Sequence, residues 1–141
     1  MARIFWDTNL FVYWFEAHED WGPVTKQLHA RMVQRRDVLL TSWLTVGEVL
    51  VRPRSERDAL LERRYLALFH SRVVVMTEFG REAAMTYASL RAGWRLRSPD
   101  ALQLACAAAA GVDLFVTNDK RLHALVVPGI DFICGLDRLP L

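Results

Sequence analysis

Ile4-Phe5-Trp6-Asp7-Thr8-Asn9 is the stretch that decides how this chain reads. An apolar run ends in an acid, two small polar residues follow, and Leu10-Phe11-Val12-Tyr13-Trp14-Phe15 comes next. That order reads as a buried strand entering a helix. Asp7 then stands at the strand's carboxyl end, the edge at which open α/β sheets bind ligands. Late in the chain, Asp113-Leu114-Phe115-Val116-Thr117 reads as another strand, and Asn118-Asp119 follows it. Two strands that each deliver an acid to one sheet edge bring like charges together, which is costly unless a cation or a shared proton offsets it. Taken singly, each site also has a local reading. Asp-Thr-Asn makes a good helix N-cap, and Asn-Asp makes a good turn.

Between these two stretches, strands alternate with helices. Pro23 opens a helix to about Arg36, striped by Val24, Leu28 and Met32. Val38 to Thr41 is a second strand. Ser42 caps a helix that Pro53 stops, and Ser55 with Asp58 forms a capping box for a helix to about His70. Val73 to Met76 is a third strand, and Thr77 caps a helix from Glu78 to Ala92, ended by Gly93. Trp94 to Arg97 is a loop. Ser98-Pro99 opens a helix to Ala110, closed by Gly111. After the Asp113 strand come a short helix around Lys120 to Ala124 and a last strand, Ile130 to Cys134. Such alternation predicts an α/β fold, a parallel sheet flanked by helices on both faces. With 141 residues and no repeat, low-complexity tract or linker, one domain over 1–141 is expected.

Composition excludes several classes. No apolar run reaches the roughly 18 residues of a membrane span, and Asp7 interrupts any signal-peptide pattern, so a cytoplasmic protein without membrane contact is expected. Cys106 and Cys134 lie in apolar segments without metal-ligand spacing and read as buried free thiols. A net charge of +2 is no nucleic-acid footprint by itself.

Two further acids join Asp7 and Asp119. Glu48 is the only charge in Trp43 to Val51, and a carboxylate among apolar neighbours needs a partner. Asp100 lies in the first turn of a helix that is otherwise nearly all apolar, where the helix dipole favours an acid. Burial of that helix would fix Asp100 at the ligand edge. Four carboxylates from four elements, with no cysteine or histidine cluster, are hard oxygen donors suited to Mg²⁺ or Mn²⁺ rather than zinc.

These pieces resemble the PIN domain, the nuclease domain of VapC-type toxins of bacterial toxin–antitoxin pairs. The resemblance rests on Asp7-Thr8-Asn9 after the first strand, Thr41 to Val51 with Glu48, Asp100 to Ala105 opening a helix, and Val116 to Asp119 ending a strand. It implies a PIN-like parallel sheet and a metal-dependent endoribonuclease acting on RNA phosphodiesters. It implies metal binding and catalysis by Asp7, Glu48, Asp100 and Asp119, with Thr117, Asn9 and Asn118 supporting them by hydrogen bonds. A cognate antitoxin and a homodimer are further implications, the antitoxin laying an apolar segment near the site and a basic residue on the acids. Lys120 and Arg121 depart from the pattern, since many relatives carry another acid there.

Arg52 and Arg54 after Glu48, and Arg95 and Arg97 before Asp100, are candidate phosphate contacts or solvated loop charges. Trp94 is a candidate base-stacking residue. Trp43, Met32, Met76 and Met85 read as core, and His123 as surface. Two alternatives to a nuclease stay open: a non-catalytic binding module of PIN-like fold, and a phosphoacceptor signalling domain using Asp7, Thr117 and Lys120.

Overall fold

Ile4, Phe5 and Trp6 are consecutive and all fully buried, which requires a strand covered on both faces. That strand, β1 (Arg3–Trp6), is central in the computed structural model, which describes residues 1–141. The chain continues through α1 (Thr8–Phe15), α2 (Trp21–Arg35), β2 (Val38–Ser42), α3 (Trp43–Ser55), α4 (Ala59–Phe69), β3 (Val74–Thr77), α5 (Arg81–Trp94), α6 (Ser98–Ala110), β4 (Val112–Val116) and β5 (Ile130–Cys134). The five strands form one parallel sheet in the order β3-β2-β1-β4-β5.

Strand side chains alternate between faces, so the sheet separates two cores. Ile4 and Trp6 face a layer built with Leu10, Phe11, Leu28, Met32, Val46 and Tyr65, from α1 to α4. Phe5 faces the opposite layer with Leu90, Leu104, Ala107 and Phe115, under α5 and α6. Phe5 and Phe115, register partners on β1 and β4, stack at 5.1 Å. The all-apolar α1 segment is thus spent on this core: Leu10 and Phe11 are fully buried, and Tyr13, Trp14 and Phe15 pack against it. No helix is long and apolar enough to cross a membrane.

Several boundaries differ from the sequence reading, each for a local reason. α2 begins at Trp21 rather than Pro23, because His18 Nδ1 accepts the Asp20 and Trp21 amides and acts as its cap. Pro23 still sits in the first turn, where its missing N–H costs nothing. α3 runs two residues past Pro53, and the Pro53 carbonyl accepts the Asp58 amide. Arg57 then turns left-handed (φ 55°), so α4 is capped by Asp58, which accepts Leu61 N–H, and not by Ser55. Thr77 does not cap α5. It ends β3 and donates its hydroxyl to the Thr41 carbonyl, and α5 starts at Arg81. Gly93 and Trp94 belong to the last turn of α5, and Arg95 makes the reversal at φ 54°. The helix expected after Asp119 is a single 3₁₀ turn, Lys120–Leu122. Met32 is core, but Met85 is 70% and Trp43 48% exposed. Cys106 is buried and Cys134 part-buried, and both are free. Burial raises both thiol pKa values, Cys134 to about 11, so neither is a ready nucleophile at neutral pH.

The junction of α6, β4 and β5 depends on one glycine. Gly129 has φ 99°, and a Cβ there would lie 2.4 Å from the Ala108 carbonyl oxygen. Gly111 has φ 68°, but its Cβ would enter open space. Gly111→Ala should cost about 1 kcal/mol, the left-handed penalty alone. Gly129→Ala adds a backbone clash and should cost about 3 kcal/mol or more. Urea unfolding of both variants measures the difference; equal losses would refute the close approach as the cause.

Candidate functional site

The strand order fixes where chemistry can gather. From β1 the chain moves outward through β2 and β3, then returns to place β4 on the other side of β1. The carboxyl ends of β1 and β4 therefore frame a topological switch point, the crevice that α/β sheets use for ligands. Asp7 follows β1 and Asp119 follows β4, and the Asp7 amide bonds the Val116 carbonyl at 3.0 Å.

Asp7 is held from three sides. Its Oδ1 accepts the Thr8 amide at 2.8 Å, capping α1, and its Oδ2 accepts the Thr117 hydroxyl at 2.7 Å. Desolvation nonetheless raises its pKa above the ordinary carboxylate range, against the lowering effect of these bonds, and the nearby charges of Asp100 and Glu48 raise it further. Asp7, Glu48 and Asp100 thus share one electrostatic neighbourhood. Asp7 serves as an N-cap and as the buried member of that group at once.

Glu48, exposed on α3, is oriented by a relay from α6. Gln103 is buried, and its Oε1 accepts the Ser42 hydroxyl. Its Nε2 donates to Thr45 Oγ1 at 2.7 Å and Thr8 Oγ1 at 3.1 Å. Thr8 donates in turn to Glu48 Oε1 at 2.6 Å. Thr41 donates to Thr45 at 2.8 Å and lies within reach of the Trp6 carbonyl at 3.0 Å. Gln103 lies three residues after Asp100, on the same side of α6. The sequence reading counted Gln103 among apolar neighbours and passed over Thr8 and Thr45. The available signal was an amide inside Ala101-Leu102-Gln103-Leu104-Ala105, a buried polar group that must find partners.

Asp100 and Asp119 have arginine partners. Arg97 Nε lies 3.2 Å from Asp100 Oδ2. Arg121 grips both oxygens of Asp119, at 2.9 Å and 2.5 Å, and reaches to 3.9 Å from Asp100. The Arg121 hydrogen bond is the main cause that lowers the Asp119 pKa. Thr117 also accepts the Asp119 amide at 3.1 Å, so one hydroxyl ties Asp7 to Asp119.

The remaining candidates separate. Asn9 is exposed and makes no hydrogen bond to the acids. Asn118 turns away, and its Oδ1 accepts the Leu136 amide while its buried Nδ2 has no partner in the chain. His123 is part-buried rather than a surface residue, its Nε2 lying 2.7 Å from the Thr117 carbonyl. Arg52 is occupied by Glu16 and Glu56, and Arg54 by Glu62. Arg95 and Trp94 are exposed beside Arg97.

The donor chemistry at Asp7, Glu48 and Asp100 fits a hard divalent cation: three carboxylates, the most buried of them desolvated and without a cationic partner. As they stand, no three His, Cys, Asp or Glu side chains converge closely enough to hold an ion. Asp119 is engaged by Arg121.

Solved structures share this architecture. The crystal structure of VapBC2 from Rickettsia felis bound to a DNA fragment from its promoter matches with TM-score 0.75 at 17% identity, over 94% of this chain and 98% of that one. A toxin–antitoxin complex from Klebsiella pneumoniae matches with TM-score 0.65 at 23% identity, over 90% and 94%. VapC20 of Mycobacterium tuberculosis, a toxin that cleaves the sarcin–ricin loop, matches with TM-score 0.66 at 19% identity, over 87% and 96%. At these identities the likeness is one of fold. No curated protein matches the sequence. The family model of the PIN domain matches residues 4–127, which span β1 to β4 and include Asp7, Glu48, Asp100 and Asp119, and the chain belongs to the PIN domain family.

Proposed function

We propose that the protein is a divalent-metal-dependent endoribonuclease that hydrolyses RNA phosphodiesters, the toxin of a bacterial toxin–antitoxin pair. The observation that carries this reading is Asp7. A PIN-domain chain keeps a desolvated carboxylate at the switch point, with its pKa raised and two more carboxylates adding to the repulsion. A desolvated carboxylate without a local counter-ion, with two more carboxylates nearby, supports a cation at this position.

In this reading Asp7, Glu48 and Asp100 would hold Mg²⁺ or Mn²⁺, and an ion there would supply Lewis-acid chemistry to a phosphodiester and to water. Thr117 keeps the Asp7 carboxylate in place by donating to Oδ2. Gln103 and Thr8 hold the Glu48 carboxylate toward the same neighbourhood. Arg97 and Arg121 offset charge at Asp100 and Asp119, which lets an RNA phosphate approach an edge that four bare carboxylates would repel. Four carboxylates and two guanidiniums leave a formal charge of −2, equal to one divalent ion.

The antitoxin partner is proposed from the likeness to toxin–antitoxin complexes, including DNA-bound VapBC from Salmonella typhimurium. The homodimer is proposed from the family alone, since α1 is occupied in the core. The binding-module alternative rests on Arg97 and Arg121 already pairing two of the acids.

Calorimetric titration of Mn²⁺ into the metal-free protein should give one ion per chain, and Asp7→Asn should abolish binding and RNA cleavage together. Cleavage that survives Asp7→Asn would overturn the reading. Protonation of Asp7 competes with the ion, so Mn²⁺ affinity should begin to fall on acidification above the usual carboxylate range. In Asp7→Asn protein without metal the sign reverses. A raised carboxyl pKa favours the folded state at low pH and opposes it once the group ionises. The variant should therefore melt higher than the parent at neutral pH, and the gap should close as pH falls. Gln103→Ala strips partners from buried Ser42 and Thr45, so it should cost about 2 kcal/mol by urea unfolding and weaken Mn²⁺ binding.

A further inference from the structure

Asp100 also lines a neighbouring pocket of about 350 Å³, walled by Trp94, Arg95, Arg97, Arg121 and Leu122. This pocket differs from those beside Arg52 and Arg54. Its three arginines against one aspartate give a lining charge of +2. Counting Asp119, which Arg121 holds, leaves +1. The pocket beside Arg52 is lined by Arg52, Arg64, Glu16, Glu56 and Asp58 and carries −1. Arg54, in its own shallow pocket, is held by Glu62. Phosphate is attracted to the first of these and not to the second.

The arginines of this pocket retain donors. Arg95 makes no ion pair or side-chain hydrogen bond. Arg97 uses only Nε toward Asp100, and Arg121 uses Nε and one terminal nitrogen toward Asp119. A guanidinium carries five N–H groups, so each can serve a carboxylate and a phosphate together. Trp94 adds a second kind of contact. It is the last residue of α5 and remains 54% exposed, although an indole gains more than most side chains from burial.

We infer that this pocket binds one unpaired nucleotide of a single-stranded RNA. The base stacks on Trp94, and the adjoining phosphate is held by Arg95, Arg97 and Arg121. The inference rests on the nuclease reading above and names the form of its substrate. A base inside a duplex has both faces covered by its neighbours, so an aromatic platform selects strands whose bases are free. Asp100 is shared between this pocket and the Asp7 neighbourhood, so a nucleotide seated here brings the next phosphodiester to the acids.

The test uses Asp7→Asn protein, which on the nuclease reading should not cut, and a fluorescein-labelled eight-nucleotide single-stranded RNA followed by anisotropy. Trp94→Ala in that background should weaken binding about tenfold, the loss of one base–aromatic stack. Trp94→Phe should restore most of it. Arg95→Gln should weaken binding and lower the salt slope by about 0.7, one phosphate contact on a single strand. A blunt RNA duplex should bind Trp94→Ala and its parent equally. Equal single-strand affinity with and without Trp94, or an equal loss for the duplex, overturns the inference. If the unmutated protein with Mn²⁺ cuts RNA while Trp94→Ala changes nothing, the subsite falls and the nuclease stands. If the unmutated protein neither binds nor cuts RNA, both fall.

Discussion

The burial of a carboxylate, Asp7, at the mouth between β1 and β4, with Asp100 and Glu48 adding like charge, is the constraint around which this molecule is built. Asp7 cannot retreat from it. Its backbone continues the β1–β4 ladder by bonding Val116, and its side chain caps α1. Moving Asp7 would break the sheet at its centre and unravel the helix that carries Leu10 and Phe11 into the core. The like charge is therefore tolerated through neutral donors, Thr117 and the Thr8 amide, which stabilise the carboxylate without cancelling it.

The edge is divided into two halves by the way charge is met. On the Asp7 and Glu48 side, hydroxyls and an amide do the holding, through part-buried Thr8 of α1 and buried groups of β2, α3 and α6. Such a network has fixed geometry, because each buried member left unpaired costs more than a hydrogen bond yields. On the Asp100 and Asp119 side, exposed arginines do the work, and screened, solvated pairs of this kind contribute little to stability. On the proposed reading, rigidity thus lies where an ion's donors would be positioned, and exchangeable charge lies where a phosphate would enter.

The fold was legible because its evidence is periodic and local. Three apolar residues in a row at Ile4, alternating elements and paired strand-end acids specify a parallel sheet without knowledge of tertiary contacts. The acids themselves were legible as charges in apolar surroundings. What could not be read depends on distant partners. Gln103 looks like an interruption in an alanine-rich helix until Ser42, Thr45 and Thr8 are brought to it. Thr77 and Ser55 look like caps by spacing, but Thr77 is spent on Thr41 and Arg57 turns the chain before Ser55 can act. Arg52 and Arg95 are equivalent by sequence; only the folded chain gives one two glutamates and leaves the other free.

The arginine that departs from the family pattern has the largest consequence for what the edge can hold. Arg121 is bidentate on Asp119 and within 3.9 Å of Asp100, so it offsets carboxylate charge on that side of the edge. A guanidinium tethered two residues from its carboxylate has little entropy to lose and does not dissociate into solution as an ion does. It also differs from an ion in what it can offer. It donates hydrogen bonds in a plane but is no Lewis acid, so the charge it offsets on the Asp119 side is met without supplying metal chemistry. On the proposed nuclease reading, the chemistry of the edge would then concentrate at Asp7, Glu48 and Asp100, and the Asp119 side would face phosphate with a charge set by a side chain rather than by metal supply.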